Sequence, residues 1–364
     1  MGIACILVHY HGADLAARAV AALEADLAAA GLRAELLLVD NGSDEDERAA
    51  LHRLPIRYLD AGDNLGYAGG INLGVRSTAA ELLVLMNPDV LVLPGCLPTL
   101  LAELDSGAAA AGPRFYWDRG RRFLMPPTEE TSRRAELLAR LAEHGDRCAA
   151  LARRRWRRRA RRFWSRDRPF PTPALSGALL AVRRDALDRV GPFDECYRLY
   201  FEESDWLLRL RRAGLVSRHV PAAGAVHLFN QSAAGEPAAG RWFAESQRRF
   251  RRHQYGAWFS GLLAALPAPR AGRPTLPAPA TGSPPGVRLP ETRNGRDWPL
   301  WVEISALPRR FPAAATRLAD DGQQEWALPA EIWSALAPGR YFLTVCNRLG
   351  RELLELTFER PADR

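Results

Sequence analysis

The sequence predicts an α/β protein, with a mostly parallel sheet flanked by helices and a small β domain at its C-terminal end. Three observations carry this. Short apolar runs alternate with helix-length segments over the first ninety residues or so. The runs close on polar residues: 35–39 leads into Asp40-Asn41, and 81–86 into Asn87-Pro88-Asp89. Beyond residue 286 helical periodicity gives way to strand-like runs separated by turns.

In order along the chain, residues 3–8 read as a buried strand ending at His9-Tyr10-His11-Gly12. Asp14 is the expected N-cap of a helix whose apolar side carries Leu15, Val20, Leu23 and Leu27 and which stops at Gly31. A strand at 35–39, an acidic helix start at 43–48 and a strand at 56–59 follow. The loop 62–70 leads into a helix near 70–77, and a further strand ends at Met86. From 114 to 172 arginine dominates and only helix-like stretches are expected. A strand at 174–182, a helix at 204–212 ending at Gly214, and a strand leading to His227 complete a first domain over 1–261. The Ala/Pro-rich stretch that begins at 262 and ends near 286–290 reads as a linker. Residues 287–364, with strands at 298–306, 340–345 and 353–358, read as a β-sandwich.

The formal charge is +8, and all 50 basic residues are arginine. Arginine binds phosphate in a bidentate manner that lysine cannot match. Five scattered cysteines without ligand spacing predict a reduced, cytoplasmic setting. No basic n-region precedes the first strand, and no apolar run approaches a membrane span of about 20 residues. A nucleic-acid partner is not expected, because the acidic candidate site opposes one and no recognised binding motif is present.

The polar residues at the strand ends form one candidate constellation. Asp40 suits a nucleobase N–H or ribose hydroxyl, and equally a turn. The Gly-rich loop from Asn64 to Asn72 could bring backbone N–H groups to a diphosphate, or be a tight turn. Asp89, aimed by Pro88, could hold a cation that stabilises a departing nucleoside diphosphate. Glu202, Glu203 and Asp205 open a helix in a partly apolar context that would raise a carboxylate toward general-base duty. His227 closes another apolar run and is read as structural or as a metal ligand.

These residues resemble the inverting, GT-A-fold glycosyltransferases of family 2, in particular the bacterial rhamnosyltransferase-like branch. The matching stretches, in order, are Val8-His9-Tyr10, Val39-Asp40-Asn41-Gly42-Ser43, Asn64-Leu65-Gly66-Tyr67-Ala68-Gly69-Gly70-Ile71-Asn72, Asn87-Pro88-Asp89, Ser176-Gly177-Ala178, Val190-Gly191-Pro192-Phe193-Asp194-Glu195, Phe201-Glu202-Glu203-Ser204-Asp205 and Val226-His227. The resemblance spans residues 3 to about 232 and implies a Rossmann-like nucleotide-diphospho-sugar transferase domain. It places Tyr10, Asp40, Asn41, Asn64, Gly66, Gly70, Asn72 and Asn87 about the donor. Ser176 and Gly177 fall on the acceptor side, Asp89 and His227 at Mg²⁺ or Mn²⁺, and Glu203 at the general base, with Glu202 or Asp205 able to share that role. Two departures stand out: Asn87 replaces the first acid of an Asp-X-Asp signature, and Glu202-Glu203 replaces the family's Glu-Asp pair.

The resemblance implies transfer of a sugar, dTDP-rhamnose favoured and UDP-sugars next, to a glycan or polyprenol-linked acceptor in cell-surface polysaccharide assembly. A non-catalytic nucleotide-sugar or glycan-binding protein on the same fold is the alternative. Separately, on a helix over 151–164, Trp156, Ala160, Phe163 and Trp164 share one face amid arginines. A basic helix with an aromatic stripe predicts a peripheral contact with the anionic inner face of the cytoplasmic membrane; the competing reading is a solvated charge run over a core stripe.

Overall fold

The structure, a computed structural model, describes residues 1–142, 145–228, 239–266, 283–290, 297–319 and 322–362. Its elements begin with β1 (Ile3–His9), α1 (Ala13–Ala29), β2 (Glu35–Asp40), α2 (Glu45–Leu51), β3 (Arg57–Asp60), α3 (Gly66–Arg76), β4 (Leu82–Met86), β5 (Val90–Val92), α4 (Cys96–Asp105) and β6 (Ala110–Tyr116). They continue with β7 (Phe123–Leu124), α5 (Arg133–Ala142), α6 (Asp146–Trp164), β8 (Phe170–Pro171), β9 (Leu179–Arg183), α7 (Arg184–Val190), α8 (Glu202–Arg212), β10 (Ser217–His227) and α9 (Ala239–Phe250). A π-helical turn (Arg251–Tyr255) precedes α10 (Ala257–Ala265), and the chain closes with β11 (Gly286–Arg288), β12 (Leu300–Ser305), β13 (Ala314–Leu318), β14 (Glu325–Ala327), α11 (Ala330–Ala335), β15 (Gly339–Cys346) and β16 (Glu352–Arg360). Two compact units result: Met1–Phe115 with Thr128–Thr131 and Asp167–Leu262, and Tyr116–Pro127 with Ser132–Arg166 and Leu263–Arg364.

In the first unit β4, β1, β2 and β3 run parallel, in that order. β9 adds antiparallel to β4, and β6 antiparallel to β9. β1 alternates in the manner of a strand buried on both faces. Cys5 and Leu7 join Val20 and Leu23 of α1 and Leu97 and Leu100 of α4 on one side. Ala4, Ile6 and Val8 join Ala68 and Ile71 of α3 and Trp206 and Leu210 of α8 on the other. α3 can lie this close because it is glycine-rich: a Cβ on Gly70 would stand 2.6 Å from Val8 Cγ1, and one on Gly74 2.4 Å from Ile6 Cγ2.

The second unit is built on an antiparallel sheet in the order β7-β13-β12-β15-β16. Leu300, Val302, Ile304, Leu343 and Val345 face one way, toward Val287 and Trp326 of the β11–β14 ribbon and Ile332 of α11. Trp301, Phe311, Ala313 and Ala315 face the other way, toward Trp156, Ala160 and Trp164 of α6. The expected sandwich thus takes the form of a sheet opposite a small ribbon, with a helix on its second face.

Several local expectations are corrected. The cap of α1 is Gly12 in the left-handed conformation, φ 87°, with Asp14 inside the first turn. α3 starts at Gly66 and α8 at Glu202, earlier than the periodicity implies, while β9 starts only at Leu179. The arginine-rich stretch includes strand residues at Phe123–Leu124 and Phe170–Pro171, and its helices group with the second unit. Of the expected linker, 262–265 completes α10 and Gly286–Arg288 is a strand; 267–282 lies outside the described residues. The aromatic stripe of α6 is not a membrane face: Trp156 and Trp164 are 6% and 5% exposed, because the sheet's second face needs an apolar cover.

Candidate active site

The carboxyl ends of β1, β2 and β4 frame the site, as open α/β sheets dictate. At the end of β2, Asp40 is buried and already engaged. Its Oδ1 accepts the backbone N–H of Ser43 at 2.9 Å, and its Oδ2 accepts the Tyr58 hydroxyl at 2.5 Å. Burial alone would raise its pKa; the hydrogen bonds from Tyr58 and Ser43 outweigh that and hold it below the ordinary value. Asn41 next to it fastens the Gly-rich loop. Its Nδ2 donates to Asn64 Oδ1 at 3.1 Å and its Oδ1 accepts from Leu65 N at 2.9 Å. Asn64 Oδ1 also accepts from Gly66 N at 2.9 Å.

A cleft of about 90 Å³ opens here, lined by Tyr10, Asn41, Asn64, Gly66, Tyr67, Asn87, Pro88, Arg198 and Trp242 among others. Five of the expected donor residues thus meet: Tyr10, Asn41, Asn64, Gly66 and Asn87. Three do not line it. Asp40 organises the loop from below. Gly70 makes room for Val8. Asn72 clamps a neighbouring segment, its Nδ2 donating to Phe193 O at 2.9 Å and its Oδ1 accepting from Phe193 N at 3.1 Å.

Asp89 and His227 meet through strand pairing. β10 lies antiparallel on β5 with His227 opposite Val90, the residue after Asp89. His227 Nε2 stands 3.4 Å from Asp89 Oδ1, and Leu228 N donates to Asp89 O at 2.9 Å. A carboxylate beside an imidazole is a donor set that suits Mn²⁺ and accommodates Mg²⁺. Among the described residues no group of three or more His, Cys, Asp or Glu side chains is placed to hold a metal. These two residues would supply two ligands to a cation, whose remaining ligands would have to come from elsewhere, such as phosphate oxygens and water.

Glu202 and Glu203 open α8, directly after two residues held in the left-handed region, Tyr200 at φ 67° and Phe201 at φ 72°. Such backbone costs about 1–3 kcal/mol per residue and gathers at functional sites. Burial pushes Glu202 well above the ordinary carboxylate range, and the charge of Glu203 adds to that. Burial raises Glu203 too, against hydrogen bonds from the backbone and Ser204. Tyr67 ties the site together. Its hydroxyl donates to Gly177 O at 2.8 Å, and its pKa is raised by burial and then by the charges of Glu202, Glu203 and Asp89. A Cβ on Gly177 would stand 3.3 Å from Glu203 Cβ, so this glycine opens the space beside the glutamate. Ser176 sits one residue earlier, its Oγ accepting from Ala178 N at 3.3 Å.

Asp205 is engaged within the fold. Its Oδ2 accepts from Arg209 Nε at 2.8 Å and its Oδ1 from Gln254 Nε2 at 2.5 Å. The stretch after Val190 is likewise scaffold, since Gly191 O accepts from Trp206 Nε1 at 3.1 Å and Phe193 stacks on Trp206. Tyr67, Arg198 and Trp242 were missed as site residues. Arg198 O accepts from Tyr67 N at 3.0 Å, and its guanidinium lies 4.8 Å from the Trp242 ring centroid. Tyr67 lies inside the Gly-rich stretch and could have been found there. Trp242 belongs to α9, beyond the matching stretches, and no sequence signal points to it.

Among known proteins, the chain matches an N-acetylglucosaminyl-diphospho-decaprenol L-rhamnosyltransferase of Mycobacterium tuberculosis with 34% identity over 236 residues, 60% of this chain and 75% of that protein. It matches the low-salt glycan biosynthesis hexosyltransferase Agl10 of Haloferax volcanii with 24% identity over 203 residues, 53% of this chain and 59% of that one. A mannosyltransferase from Pyrobaculum calidifontis, solved with GDP-Man and Mn²⁺, aligns at a TM-score of 0.46 and 18% identity over 72% of this chain and 68% of that chain. The family model described as glycosyl transferase family 2 matches residues 5–191, which contain most of β1, all of β2 to β4, the Gly-rich loop and Asp89. The chain belongs to glycosyl transferase family 2 and is a glycosyltransferase.

Proposed function

We propose that this glycosyltransferase is inverting and metal-dependent. On this reading it moves a deoxyhexose, rhamnose first, from a nucleoside-diphosphate donor to a hydroxyl of a lipid-linked glycan. The observation that carries the reading is that Tyr67, which lines the cleft with Arg198 and Trp242, bonds Gly177 O beside Glu203, while Asp89 stands 3.4 Å from His227 and its charge, with those of Glu202 and Glu203, bears on Tyr67. The rhamnosyl group and the lipid-linked acceptor are inferred from the mycobacterial relative, whose name gives both.

On this reading the nucleoside enters between Tyr10 and the loop that Asn41 and Asn64 hold rigid. Arg198 faces the diphosphate with a planar guanidinium set over the Trp242 ring. Asp89 and His227 would hold Mg²⁺ or Mn²⁺, which when bound stabilises negative charge on the departing diphosphate. The acceptor hydroxyl approaches over Gly177, and Glu203 takes its proton as the oxygen attacks the anomeric carbon from the face opposite the diphosphate. Burial favours the neutral form of Glu202, which would spare Glu203 a second adjacent negative charge.

The test is Glu203→Gln with a dTDP-rhamnose donor and a short-chain GlcNAc-diphospho-lipid acceptor. Donor binding is expected to persist while turnover falls by about 10²–10⁴-fold. Product of the opposite anomeric configuration, read by NMR, is expected. Retention of configuration, or full turnover in the variant, removes this mechanism.

A further inference from the structure

The second unit carries an arginine-lined cleft that the transfer reaction does not use. Helix α6 presents two rows of arginine, each repeating every four residues. The inner row is occupied by the fold. Arg157, 2% exposed, has Nε 2.7 Å from Glu303 Oε1, and its Nη1 donates to Gly350 O at 3.0 Å. Arg153 Nε pairs with Glu352 at 2.5 Å, and Arg161 Nη1 donates to the carbonyls of Asn347 and Arg348 at 2.8 and 3.0 Å. The outer row, Arg154, Arg158 and Arg162, lies about 100° further round the helix and is exposed. It has no carboxylate partner among the described residues.

Arg348 and Arg351, in the turn between β15 and β16, complete the lining of a cleft of about 850 Å³. Eight arginines line it, and the carboxylates paired with them are Glu303 and Glu352, which leaves a local charge of +6. So dense a set of like charges repels itself unless an anion lies among them. Guanidinium forks match phosphate oxygens in pairs. Two protruding apolar side chains share this rim. Leu349, 82% exposed, lines the cleft, and Leu151, 70% exposed, follows the lining residue Ala150. Exposed arginines together with protruding leucines match the layered chemistry of an anionic bilayer, phosphate outside and hydrocarbon beneath.

We propose that this cleft docks the second unit on an anionic membrane surface, the outer arginines and Arg348 and Arg351 binding lipid phosphates while Leu151 and Leu349 enter the headgroup layer. The aromatic residues of α6 take no part, because they are core. Docking stands on this placement alone and does not depend on the transferase mechanism.

The full chain is sedimented with phosphatidylcholine vesicles, with and without phosphatidylglycerol, at about 0.1 M salt, where the Debye length is ~10 Å. Binding only to the anionic vesicles is expected. Arg154→Gln/Arg158→Gln/Arg162→Gln should weaken it by about tenfold or more. Leu151→Ser/Leu349→Ser should weaken it without changing calorimetric binding of inorganic pyrophosphate. An unchanged melting midpoint in both variants checks that they fold. No retention on anionic vesicles overturns the proposal, as does equal retention of the arginine variant. Saturable pyrophosphate binding without vesicle binding also overturns it, and marks a site for a soluble anion instead. Transfer to a water-soluble acceptor, assayed in parallel, bears on the mechanism and not on docking.

Discussion

His227 Nε2 stands 3.4 Å from Asp89 Oδ1, a contact set by the one register in which His227 pairs with Val90. Two strand ends far apart in sequence thereby present one carboxylate and one imidazole to the same point. The chemistry of that pair predicts a cation held in common. In His227→Ala the Mn²⁺ concentration for half-maximal transfer should rise more than that for Mg²⁺, since imidazole favours the softer ion. Asp89→Asn should remove most transfer with either. Superimposable metal titrations for wild type and both variants would take the pair out of this role.

The two glutamates predict opposite uses of one physical effect. Glu203 must be ionised to act, and burial raises its pKa, so the acidic limb of the kcat/KM profile should lie above the ordinary carboxylate value of about 4.3. Glu202 is raised well above that value by its burial. Its folded form keeps a proton that the unfolded chain releases, so the stability it contributes is complete below about pH 4.3 and is lost as pH rises toward its raised value. Glu202→Gln keeps the neutral shape at every pH. It should raise the melting midpoint at pH 8 and leave it unchanged near pH 4. A gain of the same size at both pH values contradicts the assignment.

Strand ends were legible in the sequence because a buried parallel strand must change abruptly from apolar to polar where it leaves the sheet. That is how Asp40, Asn87, Asp89 and His227 were found. What the sequence could not separate was ligand from scaffold, because the same polar residue serves both. Asn72 turned out to clamp Phe193, and Asp205 to hold Arg209 and Gln254. The three-residue β5 was too short to show a period, although it is what places His227. Trp242 could not be found at all, since its role depends on Arg198 reaching it through space.

Asp205 turns that distinction into a measurement. As scaffold, Asp205→Asn should lower stability by about 1.5–3 kcal/mol through lost charge-assisted hydrogen bonds. Below the new melting midpoint, kcat should stay within a few-fold of wild type. A large fall in kcat with an unchanged midpoint would return Asp205 to the acid cluster.

The close approach of α3 to β1 makes a second separable case. Gly70→Ala places a methyl 2.6 Å from where Val8 Cγ1 now lies, and Val8 also lines the cleft. Overpacking should cost about 1–3 kcal/mol, partly offset by the better helix propensity of alanine, about 1 kcal/mol. The double variant Gly70→Ala/Val8→Ala relieves the clash. It should recover part of the loss in denaturant midpoint, a coupling that independent sites would not show.

The second unit rests on a buried charge. Arg157 and Glu303 are each 2% exposed, and Nη2 of Arg157 donates to Glu303 Oε2 at 2.8 Å. Burial alone would lower the Arg157 pKa, but the carboxylate against it raises it above the usual arginine value, so the guanidinium stays charged whatever the pH. Removing only the Glu303 carboxylate leaves the buried guanidinium to the partly exposed Glu352, whose Oε1 lies 3.1 Å from Nη1. Glu303→Gln should therefore cost up to about 3–5 kcal/mol, less the part that Glu352 compensates. Arg157→Met/Glu303→Leu, which replaces both partners with apolar volume, should cost much less, because neither desolvated charge remains. Chemical denaturation of the three proteins checks the order. A double variant no more stable than Glu303→Gln would mean that Arg157 matters mainly through its bond to Gly350 O, one of the contacts that anchor the β15–β16 turn to α6.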